Sequence, residues 1–152
     1  MNSNKLDENL DEVLVRTGIV TIEQMHDAVQ TAHNEDKPVE LVLLETGLIT
    51  HRDLVMALSI QLRTPLIDLK RHKVYPEARR LVSEQLIRKH NVLPLDIING
   101  SLAIVMENTM DIGVIDDIAA VAKMRVEPMM AFPDDIDKAI NRNYRAGNKA
   151  KN

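Results

Sequence analysis

Sliding the sequence against itself by 29 residues places Thr17-Gly18 on Thr46-Gly47. Leu10–Ala32 then aligns with Val39–Gln61. Val13, Thr17, Gly18, Thr21 and Ala28 return as Val42, Thr46, Gly47, Thr50 and Ala57. Apolar positions return as well: Leu14-Val15 as Leu43-Leu44, Ile19-Val20 as Leu48-Ile49, and Met25 and Val29 as Leu54 and Leu58. A tandem repeat of this kind restricts the fold more than any other feature of the chain. One copy cannot bury its own apolar face, so the two are expected to pack together.

Each copy reads as a helix, a tight turn and a second helix. Leu10, Val13 and Leu14 recur at helical spacing in the first copy. The helix stops at Gly18 or Gly47, because a left-handed cap residue is least strained as glycine. Two apolar residues follow and can fold back on the helix just ended. Thr21 or Thr50 then caps a second helix, and Gln24 completes a capping box in the first copy. Four helices in two hairpins are therefore expected over residues 10–63, behind a polar arm at 1–9.

Beyond Thr64 the pattern changes. TPLIDL is short and proline-marked, which predicts an extended join over residues 64–75. Pro76 to Asn91 predicts helix in two pieces, with Ser83 capping SEQLIRKH. LPLDII, an Asn99-Gly100 turn and SLAIVME predict a β-hairpin. Asp111 to Lys123 predicts a helix, Arg125 to Phe132 a third strand, and Pro133-Asp134-Asp135 the start of a last helix ending near Tyr144. The fold class expected is α+β: a four-helix tandem-repeat subdomain, then a small α-β-β-α-β-α subdomain at 76–144. The tail, 145–152, is expected to be disordered.

Composition removes several functions. The chain has no cysteine, so thiolate metal sites, thiol nucleophiles and disulfides are excluded. A formal charge of −4 and only Tyr75, Phe132 and Tyr144 as aromatics argue against a nucleic-acid partner. No apolar run reaches the roughly 20 residues that span a bilayer. The polar, acidic start is no secretory signal, and a cytoplasmic location is expected. The glycines stand at 18, 47, 100, 113 and 147 and cannot form a G-x-x-x-x-G-K-[ST] or G-x-G-x-x-G loop. Glu23 and His26 have the Glu-x-x-His spacing of helical di-metal sites, but the second copy carries Arg52 and Val55 there. A solvated helix face is the better reading. His33, His51, His72 and His90 are expected at the surface. Glu107, Asp111, Asp116 and Asp117 cluster near a helix start, where acids favour the dipole. No catalytic residue, metal or cofactor is expected.

With the repeat in view, the chain resembles the MshEN-type N-terminal domain of type II secretion and type IV pilus assembly ATPases. That family repeats a unit of the form R-L-G-x-x-apolar-apolar-x-x-G-apolar-apolar, closing on L-x-x-Q. Gly18 and Gly47 fall on its second glycine. PLIDL, PEARRLVSEQLIRKHNVLPL, SLAIVMENTMD, VEPMMAF and INRNY extend the likeness to Tyr144.

The resemblance implies two functions. One is a stand-alone, non-catalytic docking or regulatory module, without the ATPase core, in a pilus, secretion or motility machine. Its partner would be a motor ATPase, a platform protein or a regulator. It would not insert in the membrane, although such partners would recruit it to the inner face. The alternative is a receptor for cyclic di-GMP, which members of the family can bind. The residues it would use are Asn9, Leu14, Val15, Gly18, Ile19, Leu43, Leu44, Gly47, Leu48, Gln61 and Arg63. The family's opening Arg is Asn9 and Pro38 here, its first glycine is Asp11 and Glu40, and its closing Gln is Ala32 and Gln61. Two acids in place of glycine would repel a doubly anionic ligand, which Arg16, Arg52 or Arg63 would have to offset.

Overall fold

The computed structural model describes residues 8–144. Most of the expected arm and all of the expected disordered tail lie outside the described residues. The chain divides into two compact units between Thr64 and Pro65.

The first unit is helical: α1 (Leu10–Arg16), α2 (Ile22–Glu35), α3 (Val39–Glu45) and α4 (His51–Gln61). α1 packs on α2 and α4, and α2 on α3. Equivalent residues of the two copies meet in one core: Val13 with Val42, Leu14 with Leu43, Val20 with Ile49, and Ala28 with Ala57. Helices of seven residues such as α1 and α3 are too short to persist alone. Their stability comes from this shared core and from their ends.

Those ends explain the repeated Thr-Gly pair. Thr17 and Thr46 turn their hydroxyls back onto the carbonyls of Val13 and Val42, at 2.7 and 2.8 Å. Gly18 and Gly47 follow with φ of +81° and +79°. Gly18 N–H donates to the Val15 carbonyl and Ile19 N–H to that of Leu14. Gly47 and Leu48 repeat both bonds with Leu44 and Leu43. This is the Schellman closure in both copies. It turns Ile19 and Leu48 back against the core. Thr21 and Thr50 both form full capping boxes, the second using Asp53, an acid of the right reach that replaces Gln24.

The second unit is built on a three-stranded sheet of order β1-β2-β3. β1 (Leu93–Ile98) and β2 (Ser101–Met106) form an antiparallel hairpin. Its turn, Asn99-Gly100, has positive φ at both residues (51° and 78°), the mirror-image turn that matches strand twist. β3 (Arg125–Met130) pairs in parallel with β2, reached by the crossover helix α7 (Ile112–Ala122). Leu102 to Met106 of the central β2 are all buried. Pro94 and Pro128 stand on the two outer strands, where a missing ladder N–H matters least. α5 (Pro76–Arg79) packs on β1, α7 on β3, and α8 (Pro133–Asn143) on β1 and β2. α6 (Glu84–His90) is capped by Ser83, whose Oγ accepts from Leu86 N–H at 3.2 Å.

Of residues 64–75, expected as a join, all but Thr64 belong to this unit. Ile67 N–H donates to the Met130 carbonyl at 2.9 Å. Leu69, in a 3-10 turn over Leu69–Arg71, is buried in the core, and Ile67 and Val74 pack against it. Short apolar positions without period read as connection; the sheet edge and α8 give them their neighbours.

Candidate functional site

The first unit carries a cleft of about 840 Å³. α1 supplies Asp11, Glu12, Val15 and Arg16 to its wall, and Glu8 stands just before that helix. Met25 comes from α2, Ile60 and Gln61 from the end of α4, and Arg63 from the turn beyond.

The charges in the cleft are mostly acidic and partly cancelled. Arg16 is held by Glu8 in a two-point pair, Nε to Oε2 at 2.7 Å and Nη2 to Oε1 at 3.0 Å. The bond from Arg16 holds the Glu8 carboxyl below its ordinary range. Asp11 shifts the other way. Burial raises its pKa, and the neighbouring charges of Glu40 and Glu12 add to the rise. Asp11 and Glu40 are the two acids that stand where the resembled family has its first glycines.

The sign of the Asp11 shift sets a test. The folded chain holds the proton more tightly than the unfolded chain does, whose Asp titrates near about 3.9. The associated stability is complete below that value and is lost as pH rises through the folded pKa. Asp11→Asn is therefore expected to raise the midpoint of thermal unfolding at pH 7 and to give no gain at about pH 3. Equal effects at both pH values would show that ionisation is not the cause.

Among the residues proposed from the sequence, Val15, Gln61 and Arg63 line the cleft. Leu14 and Leu43 are 0% exposed, so their side chains offer a ligand no surface in this state. Ile19, Leu44 and Leu48 are partly buried against the same core. Gly18 and Gly47 close helices. Asn9 is engaged in a capping box: its Oδ1 accepts from Glu12 N–H at 2.8 Å, and its own N–H donates to the Glu12 carboxylate at 2.9 Å. Ala32 is buried, and Pro38 starts α3 without a side-chain cap. The resemblance implied these positions, and its apolar members pack in or against the repeat core here.

Glu8, Glu12, Met25 and Ile60 line the cleft without having been singled out from the sequence. The Glu8–Arg16 pair spans eight residues across a helix start, a spacing that no helical rule selects. Arg63 has a signal that appears only in the backbone. It adopts φ of +54° one residue past the cap of α4, where Gly18 and Gly47 stand in the other turns. Its N–H donates to Ile60 O and Thr64 N–H to Ser59 O, the same Schellman closure. A non-glycine residue there is strained by roughly 1–2 kcal/mol.

His26, His33, His51 and His72 are exposed, as are Glu23 and Asp116. His90 differs from expectation: its side chain is 14% exposed, and Nε2 lies 3.6 Å from Asp117 Oδ2. Asp111 caps α7, its Oδ1 accepting from Val114 N–H at 3.4 Å. No group of three or more metal-ligating side chains occurs among the described residues. No helix among them is long and apolar enough to cross a membrane.

The family model of the MshEN domain matches residues 62–149. The chain belongs to the MshEN domain family. The match falls on the second unit, which holds the motifs from PLIDL to INRNY, and barely touches the repeat. Alignments with whole proteins extend over nearly all of this MshEN chain. The type IV pilus assembly ATPase PilB of Myxococcus xanthus is 30% identical over 135 residues, covering 89% of this chain and 24% of that protein. PilB of Acinetobacter baylyi is 23% identical over 131 residues, covering 86% and 23%. The chain thus spans about a quarter of the length of these relatives. Among solved structures, MshE with cdg superposes with a TM-score of 0.72 at 25% identity, covering 90% of this chain and 99% of that one. The N-terminal domain of XpsE superposes with a TM-score of 0.69 at 18% identity, covering 93% and 98%, a likeness of fold. The α+β architecture is that of these N-terminal domains.

Proposed function

We propose that this MshEN domain is a non-catalytic docking module of a type IV pilus, type II secretion or related machine, acting in the cytoplasm through protein contacts. The partners that fit its relatives are a motor ATPase and a membrane platform protein, which would bring the domain to the inner face of the membrane. One observation carries the preference for docking over second-messenger binding: among the described residues the cleft is lined by three carboxylates and two guanidiniums, and Glu8 already holds one of the latter. A doubly anionic ligand would meet net repulsion there. Protein contact is further supported by large apolar side chains left exposed on the repeat unit, with Ile22 at 71% and Val29, Leu41, Met56 and Ile60 between 38% and 41%. Scattered apolar residues are ordinary on a surface. Five among the described residues of this unit are a substantial apolar supply for an interface.

The second reading is cyclic di-GMP binding, supported by the likeness to MshE with cdg and by Gln61 and Arg63 facing one cleft. Arg63 keeps a strained backbone at a position where glycine would relieve it, and such strain tends to gather at functional positions. Calorimetric titration with cyclic di-GMP separates the two. Docking predicts no binding at micromolar ligand. Binding at micromolar or tighter, lost at least tenfold in Arg63→Ala, would replace docking with the receptor reading. Failure of the immobilised chain to retain either a purified pilus motor ATPase or its platform protein would also overturn docking.

A further inference from the structure

The second unit has a cavity of about 450 Å³ with a different character. Lys70, His72, Lys73 and Arg142 stand on its wall, Leu69 and Leu93 form buried apolar floor, and no carboxylate among the described residues lines it. The surrounding sequence is basic in a chain of net charge −4: Lys70, Arg71, Lys73, Arg79 and Arg80 fall within eleven residues that hold one acid, Glu77.

The neighbouring cations separate into engaged and unengaged groups. Arg71 faces Asp68 at 3.7 Å. Arg79 donates to the Asn143 carbonyl at 2.7 Å and lies over the Tyr144 ring, 5.7 Å from its centre. Arg88 donates to the Tyr144 carbonyl at 3.0 Å and holds Glu84 at 2.7 Å. Arg79 and Arg88 therefore answer the negative end of α8. Lys70, Lys73 and Arg142 are not needed for that, and none has a carboxylate partner among the described residues. Lys73 instead rests over the Tyr75 ring, 5.3 Å from its centre. Three like charges around one concavity repel one another unless an anion joins them, and low-dielectric walls strengthen their common field.

We propose that this cavity binds a phosphate-bearing anion, with Arg142 supplying a planar two-point donor and Lys70 and Lys73 point charges. The site is on the second unit and does not rest on the docking reading. The same chemistry is offered by a soluble phosphate compound and by an acidic lipid headgroup, so the test has two arms. The full chain is titrated calorimetrically with pyrophosphate, and it is sedimented with vesicles of phosphatidylglycerol or, as control, phosphatidylcholine. Binding in either arm, absent on phosphatidylcholine and falling with added salt, is expected. Binding in the first arm alone identifies a soluble source, and in the second alone a headgroup. K70Q/K73Q/R142Q is expected to weaken it at least tenfold. K89Q/K123Q/R125Q, with the same change of charge elsewhere on this unit, is expected to weaken it less than threefold. All six side chains are exposed, and retained helical circular dichroism checks that both variants fold. Absence of binding in both arms, or equal loss in the two triple variants, would overturn the proposal.

Discussion

Leu14→Ala and Leu43→Ala are each expected to lower the unfolding free energy by about 2–5 kcal/mol, the range for a leucine truncated in a packed core. Both side chains have no accessible surface, and both lie where the two copies of the repeat meet. Each carbonyl also receives the N–H that closes its own helix, so the residue joins packing to the turn that follows. The loss is a large share of the roughly 5–15 kcal/mol that holds an ordinary domain. Ile22→Ala, by contrast, truncates a side chain that is 71% exposed and should stay within about 0.5 kcal/mol of the parent. Urea titration followed by circular dichroism measures all three. A loss under 1 kcal/mol at Leu14 or Leu43 would mean that the repeat core is open enough for these leucines to reach a ligand. That result would restore them to a binding site.

Gly18→Val and Gly47→Val are expected to cost about 2 kcal/mol each, and by the same mechanism. No atom lies within 4 Å of an added Cβ at either glycine, so crowding by neighbours is not the cause. The cost is that of forcing a β-branched residue to positive φ. Gly18→Asn should recover most of the loss, since asparagine tolerates the left-handed region. Arg63→Gly should act in the opposite direction. Relief of roughly 1–2 kcal/mol of backbone strain, less the greater freedom of glycine in the unfolded chain, of order 0.4–1 kcal/mol, leaves a gain of up to about 1.6 kcal/mol. Thermal melts of the four variants test the set. A gain in stability at Arg63→Gly together with weaker partner or ligand binding would show that the arginine is kept for its side chain. Unchanged binding would remove Arg63 from the site.

The candidate site was less legible than the fold, and particular residues show why. Asn9 was singled out as a ligand position because it replaces an arginine of the resembled pattern. In the structure it caps α1, a role its residue type favours and that Glu12, three residues on, completes. Glu8 and Arg16 were not connected, because their pairing depends on how the chain enters α1. Residues 64–75 were expected only to join; Ile67 acquires a structural part once β3 exists to receive it, and Leu69 does so where its 3-10 turn packs on α8.

The sequence by itself determined the repeat, its four helices, their stops at Gly18 and Gly47, and the hairpin at Asn99-Gly100. These depend on local requirements: helical spacing of apolar residues, a left-handed cap and a turn with positive φ at two successive positions. Tertiary structure alone decided which polar groups share a cleft, that Arg16 is already paired, that Arg63 occupies a strained turn, and that Lys70, Lys73 and Arg142 surround one cavity. Most of these depend on how elements pack, which sets α1 beside the end of α4 and Arg142 of α8 beside Lys70 and Lys73, and charge acts through distance in space, which no local spacing records.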